Sequence, residues 1–275
     1  MVTDDICMRW IGLEKSRENE ILKILSVALR RIFSSEIYDY NKLQEIRLRM
    51  NEPLIVIYDN REYFVTEKGK RTTECKKAYM VAPADIRETL EYISNYSLYA
   101  YEDEIRQGFI TIQGGHRVGL AGKVILESGM IKSVRHISFI NIRLSHQVKG
   151  CCKKVLPYII NGNETFHTLI ISPPRCGKTT LLRDMIRMLS DGFPGFKGNT
   201  IGVVDERSEI GACYKGVPQN DIGIRTDILD CCPKSYGMLM LIRSMSPQVI
   251  FTDEIGREQD AAAIGAAAQE KARKE

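Results

Sequence analysis

No stretch of this chain is apolar for long enough to span a bilayer, and Asp4 and Asp5 stand where a signal peptide would carry cations and then an apolar run. Neither a membrane span nor a secretory leader is expected. The eight cysteines contain no C-x-x-C spacing. They fall at Cys7, Cys75, Cys176 and Cys213 and in two vicinal pairs, Cys151-Cys152 and Cys231-Cys232. That speaks against a zinc framework, and His116, His136, His146 and His167 lie too far apart to supply one. A basic run with interleaved aromatics is also missing, and a net charge of +4 is too mild to point to nucleic acid. What remains is an ordinary globular composition, 44% hydrophobic and 27% charged over 275 residues, enough for two modest domains or one large one.

Against that background one segment stands out: Ser172-Pro173-Pro174-Arg175-Cys176-Gly177-Lys178-Thr179-Thr180. The apolar run Leu169-Ile170-Ile171 before it reads as a strand. The spacing of Leu181, Leu182, Met185, Ile186 and Leu189 after it reads as a helix with one buried face. Strand, tight loop, Gly-Lys-Thr and helix make the layout of a nucleotide-phosphate cradle. The start of a helix offers free N–H groups and a positive dipole end to phosphate. Gly177 lets the backbone approach, Lys178 is placed to reach the β- and γ-phosphates of ATP, and the Thr179 hydroxyl is placed to ligand Mg2+. Ser172 replaces the first Gly of the usual pattern. Cys176 inside the loop favours a reducing, cytoplasmic setting.

A second motif, Gln248-Val249-Ile250-Phe251-Thr252-Asp253-Glu254, lies about seventy residues downstream. A strand ending in two acids suits a metal–phosphate site, with Asp253 holding Mg2+ and Glu254 polarising the attacking water. Between the two motifs, Ile201-Gly202-Val203-Val204 ends in Asp205 and Glu206, with Glu209 close behind. Glu206 is the stronger site candidate. Asp205 and Glu209 are equally well explained as loop acids paired with Arg207.

The first half reads as a smaller α+β domain. Ser16 to Phe33 is an amphipathic helix. Leu54–Tyr58 and Glu62–Val65 are strands joined at Asp59-Asn60, and Ala84–Ser94 and roughly Leu98–Arg106 are helices. Gly114, Gly115, Gly119 and Gly122 surround His116-Arg117, which reads as a tight hairpin before a strand from Lys123 to Glu127. Further strands are expected near Ile131–Arg135 and Phe139–Leu144. The organisation expected is an α+β domain over 1–149, a linker over 150–166 and an α/β, RecA-like P-loop NTPase domain over 167–275.

Together, Leu43 to Arg49, Gly114 to Gly122, Ser172 to Asp184, Val204 to Ile210, Tyr214 to Asp227 and Met245 to Glu258 resemble the stage III sporulation protein AA family of endospore-forming bacteria. The resemblance covers most of the chain. It implies a cytoplasmic, mother-cell ATPase similar to type II and type IV secretion motors. Such a motor is a homo-hexamer that binds ATP and Mg2+ and docks on membrane proteins of a channel between mother cell and forespore. It would be peripheral to the membrane through those partners, with no nucleic acid. The resemblance also maps an acidic box onto Asp205, Glu206 and Glu209, and makes Arg117 and Arg143 candidates to reach phosphate across an interface. After Asp260 the chain departs from the family, which would continue through a further central strand and a His-Gly segment. The chain therefore reads as a C-terminally truncated form, and weak or absent turnover is expected of it. Two other readings stay open: a nucleotide-gated binding module without turnover, and a nucleic-acid-dependent ATPase.

Overall fold

The computed structural model describes residues 17–34, 38–97, 101–106, 108–173, 176–256, 260–262 and 264–265. The chain forms two compact units, Met1–His146 and Gln147–Glu275.

In the first unit the expected single helix is broken. Residues 17–24 are helical, and α1 (Val27–Phe33) restarts after Ser26. Ser26 adopts φ −55°, ψ 160° and its Oγ accepts the Leu29 N–H at 3.2 Å, a helix N-cap. Ser26 Oγ in turn donates to Asp85 Oδ1 at 2.6 Å, while Asp85 Oδ2 accepts from Tyr79 OH and the Ala82 N–H. Asp85 lies in the first turn of α2 (Pro83–Ile93), where the helix dipole favours a negative charge. Two helix starts thus share one buried carboxylate.

The strands of this unit are β1 (Leu43–Arg49), β2 (Ile55–Tyr58), β3 (Arg61–Val65), β4 (Arg71–Thr72), β5 (Phe109–Thr111), β6 (Arg117–Glu127) and β7 (Met130–Arg143). They build a seven-stranded sheet in the order β4-β3-β2-β1-β7-β6-β5. The expected hairpin forms, with Asp59 and Asn60 at φ 51° and 61°, the twist that a two-residue turn needs. The two strands expected at 131–135 and 139–144 are instead one strand, β7, that bulges at His136 (φ 49°). Gly122 faces the bulge: a Cβ there would lie 2.7 Å from the Arg135 and His136 carbonyl oxygens. Leu25, Leu29, Phe33, Ile46, Leu48, Ile86, Ile140 and Ile142 belong to the unit's core.

The second unit holds a parallel sheet of β10 (Ile201–Asp205), β11 (Thr226–Asp230) and β12 (Val249–Thr252), in the order β11-β10-β12, besides a two-residue hairpin of β8 (Ile160–Asn161) and β9 (Glu164–Thr165). Helix α3 (Glu102–Arg106) belongs to the first unit and α4 (Leu156–Ile159) to the second, and both are short. Helix α5 (Lys178–Asp191) packs Met185, Ile186 and Leu189 with Ile201 and Val203. Helix α6 (Lys234–Ser244) packs Met238, Leu241 and Ile242 with Val204. Because strand side chains alternate, these are opposite faces of β10, and the sheet lies between the two helices. Cys152, Leu156 and Ile159, from the stretch expected to link the domains, are buried in the α5 core. The strand expected at Leu169–Ile171 is absent. Residues 166–173 make no ladder, and Leu169 and Ile171 are 66% and 84% exposed. Among the described residues β12 pairs only with β10, leaving its other edge open.

Candidate functional site

The glycine-lysine-threonine segment lies at the start of α5. Gly177 is the residue before the first helical turn, at φ +85°, and nothing comes within 4 Å of the position its Cβ would take. A left-handed residue beside open space is what glycine tolerates at no steric cost. Gly177 has no side chain to cap this helix start, and none of the described residues supplies one for the N–H groups of the first turn. Lys178 Nζ donates to the carbonyls of Ser172 (2.9 Å) and Pro173 (3.1 Å), folding the ammonium across the loop. Cys176 is exposed. Pro174 and Arg175 lie outside the described residues.

Asp205, at the end of β10, is fully buried. Its Oδ1 accepts the Glu209 N–H (2.8 Å), and its Oδ2 accepts those of Ile210 (2.9 Å) and Gly211 (2.8 Å). Burial pushes its carboxyl up to about 6, with the nearby Asp230 adding to the rise, although the three N–H groups pull the other way. Asp205 is therefore not the solvated loop acid paired with Arg207 that was one of its two expected roles; Arg207 reaches Glu209 instead, and the Asp205 carboxylate is taken up by the loop backbone. The same loop is tied to the phosphate-loop helix by Arg183, whose guanidinium donates to the carbonyls of Ile210 (2.9 Å) and Glu209 (2.7 Å).

Glu206 and Asp253 follow adjacent parallel strands, β10 and β12, at the same sheet edge. Between them sits Lys234, the first residue of α6, only 6% exposed. Its Nζ pairs with Glu206 Oε2 and lies 3.0 Å from Asp253 Oδ1. The Asp253 side chain is 5% exposed, and the Lys234 ammonium and the Arg207 N–H are the partners of its carboxylate. Burial would lower the Lys234 ammonium, but the two carboxylates outweigh it and hold the group above its ordinary value. Burial raises Asp253 despite the ammonium beside it. A second cation, Arg207, approaches Glu254 (3.2 Å) and Glu209 (3.8 Å) on the exposed side.

The second unit therefore brings Glu206, Asp253 and Glu254 to one edge and ties the acidic loop to α5. Arg117 and Arg143 belong to the first unit, opposite each other in the β6–β7 register. Arg117 stacks on Phe109 at 4.7 Å, and Arg143 approaches Glu45 at 3.5 Å. Lys234 and Arg183 escaped the motif reading. A lysine at the first position of a helix is a faint signal, since it opposes the dipole.

Among the described residues no group of three or more His, Cys, Asp or Glu is arranged to hold a metal. Mg2+ does not require one, because it takes one or two carboxylates and fills its shell with water and phosphate oxygens. A buried carboxylate met by one ammonium and one backbone N–H keeps lone pairs that fit a hard cation, and a helix start behind a glycine, which no described side chain caps, fits phosphate.

A parallel sheet between two helices, with Gly-Lys-Thr-Thr opening one of them, places this unit among the P-loop folds, preceded in the chain by an α+β unit that is not the smaller one expected. The fold is similar to that of a solved pilus motor. The pilus retraction motor PilT, solved with bound ADP, aligns with a TM-score of 0.50 at 16% identity, over 82% of this chain and 60% of that one. The ATPase DotB of Legionella pneumophila gives 0.49 at 14% identity, over 83% and 60%. The chain thus spans 60% of the length of each of these solved chains. The family model for "Sporulation stage III, protein AA" matches residues 15–273. Stage III sporulation protein AA of Bacillus subtilis (strain 168) is 43% identical over 248 residues, 90% of this chain and 76% of that protein. The chain belongs to the sporulation stage III protein AA family.

Proposed function

We propose that the second unit binds ATP in the cradle Ser172–Thr180 and that the protein is the Mg2+-dependent ATPase motor of a sporulation channel between mother cell and forespore. The observation that carries this reading is the helix start itself. Gly177 in the left-handed region, open space above it, a first turn that no described side chain caps and a lysine folded over the loop form an anion cradle with its cation already in place. The Lys178 ammonium exchanges its two loop carbonyls for β- and γ-phosphate oxygens. Thr179 and Asp253 hold the metal, which when bound neutralises phosphate charge. Glu254, 65% exposed, orients the attacking water, and Glu206 supports it from the neighbouring strand. Assembly as a hexamer at the cytoplasmic face of the mother-cell side, docked on membrane partners, completes the reading. No helix of the described residues is long and apolar enough to cross a membrane.

The test is binding of a fluorescent ADP and steady-state hydrolysis by the full chain. Lys178→Ala should weaken ADP binding by about tenfold or more, the loss of charge-assisted bonds. Glu254→Gln should keep binding and lose turnover. Unchanged ADP affinity in Lys178→Ala would sink the cradle assignment. One observation favours a second reading, a nucleotide-gated module without turnover. The segment leading into the loop has no ladder partner, so the cradle lacks the rigid strand that would hold it through a catalytic cycle.

A further inference from the structure

We propose that Lys234 is a resident counter-cation that keeps Asp253 and Glu206 from taking up a free divalent ion, so that metal enters this site only together with nucleotide. The inference rests on the nucleotide reading above and adds to it a residue that no motif contains.

Three observations carry it. First, Lys234 is placed where a cation is disfavoured. It opens α6, next to the positive end of the helix, and is 6% exposed. Second, the ammonium lies between two carboxylates that follow adjacent strands, which is where a metal shared by them would lie. Third, Asp253 is 5% exposed and its partners are the Lys234 ammonium at 3.0 Å and the Arg207 N–H, so the ammonium is the one cation that meets its buried charge. Asp205 shows the contrast: it is just as buried, but three backbone N–H groups saturate it.

Stability alone is a poor explanation for such a group. Lys234 and Asp253 are buried while Glu206 is 31% exposed, and a buried ion pair recovers little beyond its own desolvation, so apolar replacements of similar volume are often as stable or more so. What the ammonium does supply is charge. It neutralises the pair in the empty protein and repels a second cation from the same oxygens. Arg207 cannot substitute for it, since Arg207 serves Glu254 and Glu209 on the exposed side. A nucleotide arriving with its metal brings several phosphate charges along, and these offset the repulsion.

The experiment measures Mn2+ alone, by electron paramagnetic resonance, on the nucleotide-free full chain. The unsubstituted protein should bind Mn2+ weakly. Lys234→Met and Lys234→Gln should each tighten Mn2+ binding by about tenfold or more, the electrostatic effect of removing a neighbouring charge. Adding Asp253→Asn to either should abolish the gain. Unchanged Mn2+ affinity in a folded Lys234 variant overturns the proposal. If neither variant folds, Asp253→Asn alone decides. It should leave Mn2+ binding by the nucleotide-free protein unchanged and weaken it when ADP is present. A loss in the nucleotide-free protein would mean that the ion already reaches Asp253 past Lys234, and the proposal is wrong. Fluorescent ADP binding without metal, compared with Lys178→Ala, reports separately on the cradle. Failure there removes the nucleotide reading without altering what Mn2+ alone says about Lys234.

Discussion

Asp184 and Asp205 are both buried acids of the second unit, yet they titrate in opposite directions. Asp184 is 1% exposed and accepts the Cys152 N–H at 2.9 Å and the Arg187 guanidinium at 2.7 Å. Burial alone would raise it, but the N–H groups of Cys152 and Gly150 together with Arg187 hold it well below the ordinary carboxylate value of 3.8. A depressed native value stabilises the fold above the unfolded value, and that contribution disappears as the pH falls through the native one. Asp205 contributes in the other sense, favouring the fold below 3.8 and losing that contribution as the pH rises through about 6. Asp184→Asn should therefore lower the urea midpoint near neutrality and flatten its fall in acid, read at about pH 6 and about pH 3. Parallel acid limbs for the variant and the unsubstituted protein would show that Asp184 is not the group that titrates. Cys152 belongs to the stretch expected to be a linker. The carboxylate that binds it explains why that stretch packs against α5.

At the scale of elements, α6 approaches β10 unusually closely because two glycines face each other's strand or helix. A Cβ on Gly202 would meet Leu241 at 3.0 Å, and one on Gly237 would meet Val204 Cγ1 at 2.6 Å. Gly237→Ala should gain about 1 kcal/mol of helix propensity. It should lose about 1–3 kcal/mol to overpacking, because a β-branched valine on a central strand cannot swing away. Net destabilisation in a denaturant titration is the expected outcome, and a more stable variant would contradict the close approach. Elements whose determinants are local could be read from the chain. Asp59-Asn60 carried its own turn chemistry, and the α5 face was legible from Leu181 to Leu189. The break at Ser26 was not, because the acid that holds the cap hydroxyl is 59 residues away. Nor could Leu169–Ile171 be judged from composition: an apolar triplet is a strand only if a neighbour pairs with it. Lys234 was hidden for the same reason, since its two partners come from other strands.

At the scale of the whole chain, each unit has its own apolar core. Calorimetry should resolve two unfolding transitions. Saturating ADP should raise only one of them, by about 2.7 kcal/mol of added stability at a hundredfold excess over Kd. A single transition, or an equal shift in both, would show that the units unfold as one. Within the second unit, the peptide groups from Glu209 to Gly211 are held from both sides. Their N–H groups go to Asp205, the Glu209 and Ile210 carbonyls go to Arg183, and the Gly211 carbonyl accepts from Gln219 and Asn220. A peptide gripped at its donor and its acceptor cannot rotate without breaking two bonds at once. The acidic loop is therefore a stiff strut rather than a spring. The helix that starts at Lys178 and the end of β10 are thus joined through backbone groups that have no free donor or acceptor left to trade.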